Sequence, residues 1–306
     1  MITIHPQDGA FKALFKTEPI RHALALAFNW LIIVAAIAVC ETWFNPLLYF
    51  LSVLVIGARM HALAVLTHDA THYRFLKSKK WNDLITNYVT MYWIFSSIEN
   101  YRANHLKHHA HLNTEGDPDW VVKLGKAEFT FPKTKREFLR TIASYLLLYK
   151  GLMDAIWFLQ RFRKLGKEKT DSFITKLPKL LFYATLIGCL TIFGGWKLFL
   201  IYWIVPYLST FFMIQYIRSV AEHFGDLAYD HDHTSSRCII PTPLERFLIA
   251  PHHVGYHLDH HLYPGVPFYN LPKLHAYLMQ HEAFSQNAHI TYGYATGLLD
   301  ELSRNG

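Results

Sequence analysis

The sequence predicts an all-α integral membrane protein: about four transmembrane helices in two hairpins, with a cytoplasmic helical cap, built as a single domain over residues 1–306. Three observations lead there. Hydrophobic residues make up 52% of the chain and the mean hydropathy is positive, at +0.11, more apolar character than a soluble core of this size requires. That character is gathered into four runs, each about 20 residues long, the length at which an α-helix crosses a hydrocarbon core of roughly 30 Å. Lys and Arg are nearly absent from the links inside each pair of runs.

The first run covers residues 23–40 and the second 45–66, interrupted only by Arg59 and His61. The third covers 178–196 and the fourth 198–217. The sequence ETWFNP joins the first two, and Gly194–Gly195 lies at the second turn, so each pair reads as an antiparallel hairpin. The first link carries no Lys or Arg and the second only Lys197. By the positive-inside rule, both termini and the long polar segments are cytoplasmic, in a membrane of the bacterial inner (plasma) type. The first run is too long, and the polar leader before it too extended, for a cleaved signal peptide.

Two further apolar stretches read as interfacial helices on the cytoplasmic face. Residues 84–98 are too short to span. Residues 141–159 carry Lys150 and Asp154 near their middle, and a central charge costs about 2.5–3.5 kcal/mol on insertion. The net charge of +7 suits an anionic lipid surface. No basic run interleaved with aromatics supports nucleic-acid binding. Cys40, Cys189 and Cys238 lie far apart, so this chain alone builds no zinc ribbon or iron–sulfur cluster.

The chemistry resides in histidine. The chain has 20 histidines, and eight fall into three clusters: HDATH with His68 and His72, HLKHH with His105, His108 and His109, and HLDHH with His257, His260 and His261. Spacings of three and four place side chains on one helix face, about 5–6 Å apart at Cβ, so the imidazoles can converge on metal without backbone strain. The predicted topology puts all three clusters on the cytoplasmic side, carried by the cap and the span ends. Eight imidazoles without cysteine exceed what one ion takes and point to two borderline metals, with iron, copper, zinc and nickel all compatible.

The boxes, their order and their placement after the second and fourth runs resemble the membrane fatty-acid-desaturase superfamily. The resemblance extends from about His61 to Leu278 and is most specific at HLKHHAHLNTEGDPD and YHLDHHLYPGVPFYNLPKLH. It implies a non-haem centre of two iron ions, dioxygen as co-substrate, and removal of two hydrogens from adjacent carbons of an acyl lipid. It also implies a lone histidine ligand after the last span, matched by His223 in RSVAEH. The implied ligand set is then His68, His72, His105, His108, His109, His223, His257, His260 and His261. Stearoyl-type members carry an asparagine one turn before the lone histidine; Ser219 stands there in this chain, so no water-bridged ligand is carried over.

His111, His252 and His253 flank the boxes and read as supporting or channel-lining residues. Asp69, Glu222 and Asp259 adjoin ligands and suit the carboxylates that orient imidazoles through their second N–H. Asp117, Pro118 and Asp119 suit either a turn or the shaping of the site, and the DHDHT segment at 230–234 reads as a solvated turn. No haem, flavin or cysteine cluster is encoded, so electrons must come from an external donor of ferredoxin or cytochrome type. Rival readings are a hydroxylase or ketolase acting on a lipid, a carotenoid or a small amino-acid-derived metabolite. A rival of another class is a membrane metal-binding or transport protein, which expects ionisable residues lining a path inside the spans.

Overall fold

The computed structural model describes residues 9–165, 173–225, 227 and 235–303; the DHDHT segment lies outside the described residues. The chain is mostly helical, and its one described sheet has two short parallel strands, β1 (Cys238–Ile240) and β2 (Ile290–Tyr292).

Helices α1 (Pro19–Thr42) and α2 (Pro46–Thr71) form the first hairpin. Each begins with proline, whose missing N–H is no loss in the first turn. The Asn45 side chain caps α2 by accepting from Leu48 N at 2.9 Å. The two differ in surroundings: 22% of the apolar window of α1 is buried, against 72% for α2. Ile20, Leu24, Phe28 and Leu31 form an exposed stripe along α1. Such a stripe suits lipid, whereas water would leave it uncovered.

Residues 84–98 continue from α3 (Lys79–Thr86) through a π-helical turn at Asn87–Met91 and a 3₁₀ turn at Tyr92–Ile94. Phe95, at φ 62°, ends the stretch before α4 (Ile98–Ala110). The predicted single helix over 141–159 is instead two, α5 (Lys135–Leu146) and α6 (Tyr149–Leu165), meeting at 72°. Leu148 takes φ 66° at the break, a left-handed conformation that cannot continue a helix. Lys150 reaches both Asp154 (2.6 Å) and Glu128 (2.8 Å), so the charges in this stretch are paired.

The third predicted run falls in α7 (Phe173–Ile192), and Gly194, at φ +65°, turns the chain into α8 (Trp196–His223). Among the described residues, α1, α2 and α8 are long and apolar enough to cross a membrane, with a fourth crossing if the bent α5–α6 pair is one span. Helices α2 and α8 approach closely: a Cβ on Gly57 would stand 2.5 Å from Thr210 Cβ and 2.9 Å from Phe211 N. Only glycine fits there, and the crossing brings the C-terminal ends of both helices together. Beyond α8 come α9 (Pro243–Leu248), α10 (His257–Leu262) and α11 (Leu271–Leu278). The short helix Gly9–Ala13 packs on α10 and α11 through Phe11, Leu258, Leu274 and Leu278.

Candidate metal centre

Four elements supply the histidines. Helix α2 ends at His68 and His72, α4 carries His105, His108 and His109, α8 ends at His223, and α10 carries His257, His260 and His261. The nine separate into two groups, His68–His72–His105–His109–His260 and His108–His223–His257–His261, and within each the ring nitrogens lie within 4.8 Å of one another. In the first group Nε2–Nε2 separations are 3.0 Å for His72–His105, 3.0 Å for His105–His109 and 3.1 Å for His109–His260. In the second they are 2.9 Å for His223–His257 and 3.0 Å for His257–His261. The groups adjoin, with the rings of His109 and His261 4.4 Å apart at their centroids. Neighbouring residues on a helix diverge by about 100°, so His108 and His109 enter different groups, as do His260 and His261.

The donor set fits metal better than it fits itself. A neutral imidazole nitrogen either donates one hydrogen or offers one lone pair. His105 Nε2 faces both His72 Nε2 and His109 Nε2, and His257 Nε2 faces both His223 Nε2 and His261 Nε2. Hydrogen bonds alone serve such converging nitrogens poorly, while a cation takes all of their lone pairs. Burial, followed by the neighbouring imidazoles, pushes His105, His260 and His261 far to the neutral side, and His109 down to about 3. Neutral imidazole is the ligating form. Sets of five and four nitrogens suit two borderline ions such as iron.

Asp117 is the residue that sequence reasoning left undecided. Its carboxylate is fully buried and accepts from His108 Nδ1 at 2.8 Å, which fixes that ring with Nε2 free for the cluster. It also caps the turn Pro118–Val121 by accepting from Asp119 N and Trp120 N. Turn and support are thus one function of one side chain. The carboxyl-before-turn pattern GDPD was the available signal.

The other flanking residues are distributed differently. Glu222 Oε2 lies 3.7 Å from His257 Nε2 and also pairs with Arg218. Asp69 accepts from Phe268 N at 3.0 Å. Asp259 accepts from Cys238 Sγ at 2.8 Å and His275 Nδ1 at 3.1 Å, which ties α10 to β1 and α11. His111 is exposed at the end of α4. His252 meets Asn29 Nδ2 at 2.9 Å, and the ring of His253 lies 6.3 Å from that of Tyr256. His61 contacts Gln215 Oε1 at 2.9 Å.

Two adjoining all-imidazole groups, built from the ends of the membrane-length helices α2 and α8 and from the shorter α4 and α10, define a histidine-box membrane protein. The chain belongs to the fatty acid desaturase family, whose model matches residues 44–294, and is an oxidoreductase. It is similar to the dihydrorhizobitoxine desaturase of Bradyrhizobium elkanii, 28% identical over 89% of this chain and 79% of that one. It is also similar to an sn-1 acyl-lipid omega-3 desaturase (ferredoxin) of a Nostoc species, 24% identical over 87% of this chain and 78% of the relative. A beta-carotene ketolase of a Paracoccus species is 25% identical over 78% of this chain and 85% of the relative.

Proposed function

We propose that this protein is an oxygen-dependent desaturase of an acyl lipid, working as a single membrane domain. Two non-haem iron ions are held by His68, His72, His105, His109 and His260 on one side and His108, His223, His257 and His261 on the other. The observation that carries this reading is that all nine histidines, buried or half-buried, meet in two adjoining groups. A di-iron centre there supplies the dioxygen-dependent removal of hydrogen from unactivated carbon, which no side-chain acid or base can perform.

The chain's own residues position and shield. Asp117 holds His108, and Tyr101 stacks on His105 with ring planes 7° apart. Trp120 and Phe224 stack beside the second group at 4.5 Å and help to keep water away. Rigid placement matters because a shift near 1 Å changes which carbon reacts. Electrons come from a separate donor, of ferredoxin or cytochrome type; one relative carries ferredoxin in its name. Four spans in two hairpins leave both termini and the histidine cap cytoplasmic, in a bacterial inner membrane.

A second reading is oxidation of a small metabolite by the same centre. It is favoured by the relative that matches 89% of this chain, which is named for dihydrorhizobitoxine rather than for a lipid. Expression in a heterologous host with lipid and metabolite profiling tests both. Loss of two hydrogens from an acyl chain supports the first reading. The same loss from a polar metabolite alone supports the second, and gain of oxygen alone removes desaturation in favour of a hydroxylase or ketolase.

A further inference from the structure

Arg59, which interrupts the second apolar run, is 2% exposed in the middle of α2. Its Nη1 donates to Asn29 Oδ1 at 3.2 Å, and its guanidinium lies over the Phe247 ring at 4.1 Å. Nε and Nη2 are buried and have no hydrogen-bond partner, and no carboxylate among the described residues pairs with the charge. One neutral hydrogen bond and one aromatic face are a poor exchange for the hydration of a guanidinium, whose fork is shaped for a planar or tetrahedral oxyanion.

No hydrogen-bond acceptor reaches those two nitrogens. Asn29 is fully engaged: Oδ1 faces Arg59, while Nδ2 donates to Ala25 O at 2.7 Å and to His252 Nε2 at 2.9 Å. Because Nε2 accepts, the His252 proton sits on Nδ1. His22, 1% exposed on the same face of α1 as Asn29, has a buried Nδ1 without a partner. His252 and His253 both take left-handed backbone conformations, at φ 53° and 59°, which β-carbon-bearing residues hold only when their surroundings impose them. Arg59 and His68 are nine residues apart, about two and a half turns, so the guanidinium lies on the face of α2 opposite the first box.

We propose that Arg59, with Asn29 and His252 beside it, forms an oxyanion-binding site between α1, α2 and α9 that takes the carboxylate or phosphate head of an amphiphile. An amphiphile is the fitting occupant because the Phe247 ring under the guanidinium is partly exposed and Leu244, one turn earlier on α9, is more exposed still, which leaves an apolar surface leading away from the charge. The site stands apart from the oxidation chemistry and does not depend on it.

The test uses the metal-loaded protein in a neutral detergent and measures binding of dodecanoate, dodecyl phosphate and the uncharged dodecanol. A charge-assisted pair makes one of the anions bind about ten- to a hundredfold more tightly than dodecanol. Preference for dodecanoate assigns a fatty carboxylate, and preference for dodecyl phosphate a phospholipid head. Asn29→Asp places a carboxylate on Arg59 from within, so the anion preference should fall to within about twofold while the fold is kept. Arg59→Gln should do the same, and if that variant does not fold, Asn29→Asp decides alone. Equal binding of dodecanol, or a preference that survives Asn29→Asp, overturns the proposal. Binding is read without turnover, so a missing oxidised product bears only on the proposed function.

Discussion

His108 Nδ1 and a carboxylate oxygen of Asp117 stand 2.8 Å apart with neither side chain open to solvent beyond 7%. The contact binds the second histidine group to the loop that follows α4, and the same carboxylate receives three backbone N–H groups, from Asn113, Asp119 and Trp120. Replacing Asp117 with Ala should lower metal affinity or turnover about 10–100-fold, as loss of a ligand-orienting carboxylate does. Asn, which keeps the cap acceptor, should be the milder change. Iron content and turnover of both variants check this; unchanged values in Asp117→Ala would reduce the residue to a turn former.

Protein purified without chelator, from cells supplied with iron, should carry close to two iron ions per chain, one for each histidine group. Elemental analysis gives the count. One ion per chain, or zinc that iron cannot replace with recovery of activity, would overturn the di-iron assignment.

Single histidine replacements should follow a graded order. His260→Ala should abolish turnover while the protein still inserts, because the apolar helices and not the metal govern insertion. His253→Ala should lose about 10–100-fold at most. His231→Ala, outside the described residues, should be nearly silent. Equal loss at His231 and His260, at normal protein levels, would show the division between ligands and bystanders to be wrong.

Tags at Met1 and Gly306 should be reached by protease from the same side of sealed vesicles, the cytoplasmic one. Opposite sides would require an odd number of crossings and end the two-hairpin arrangement.

Gly57→Ala should destabilise the protein by about 1–3 kcal/mol, the usual cost of overpacking, because the new methyl meets Thr210 and Phe211 of α8. A lower melting temperature in detergent, accompanied by loss of iron, is the expected result. Unchanged stability and iron content would mean that the α2–α8 crossing does not set the spacing of the two groups.

Much of the site was legible because its signals are local. Spacings of three and four within one helix reveal the eight box histidines without any knowledge of tertiary structure, and apolar runs reveal α1 and α2 in the same way. What escaped depends on distance along the chain. Nothing near Asp259 announces that its partners are Cys238 and His275, 21 and 16 residues away. The division of the nine histidines into five and four follows from how four elements meet, not from their order. The break at Leu147–Leu148 was hidden because apolar periodicity continues across it while the backbone turns left-handed at Leu148.

The peptide units between His108 and His109 and between His260 and His261 belong to both halves of the centre at once. A small rotation of α4 or α10 therefore cannot widen one half while leaving the other untouched; both pockets breathe together, like two gears on a common shaft. Whatever rigidifies α4 at its start, where the Ser97 side chain accepts from Asn100 N, or α10 through Asp259 steadies both pockets in a single stroke.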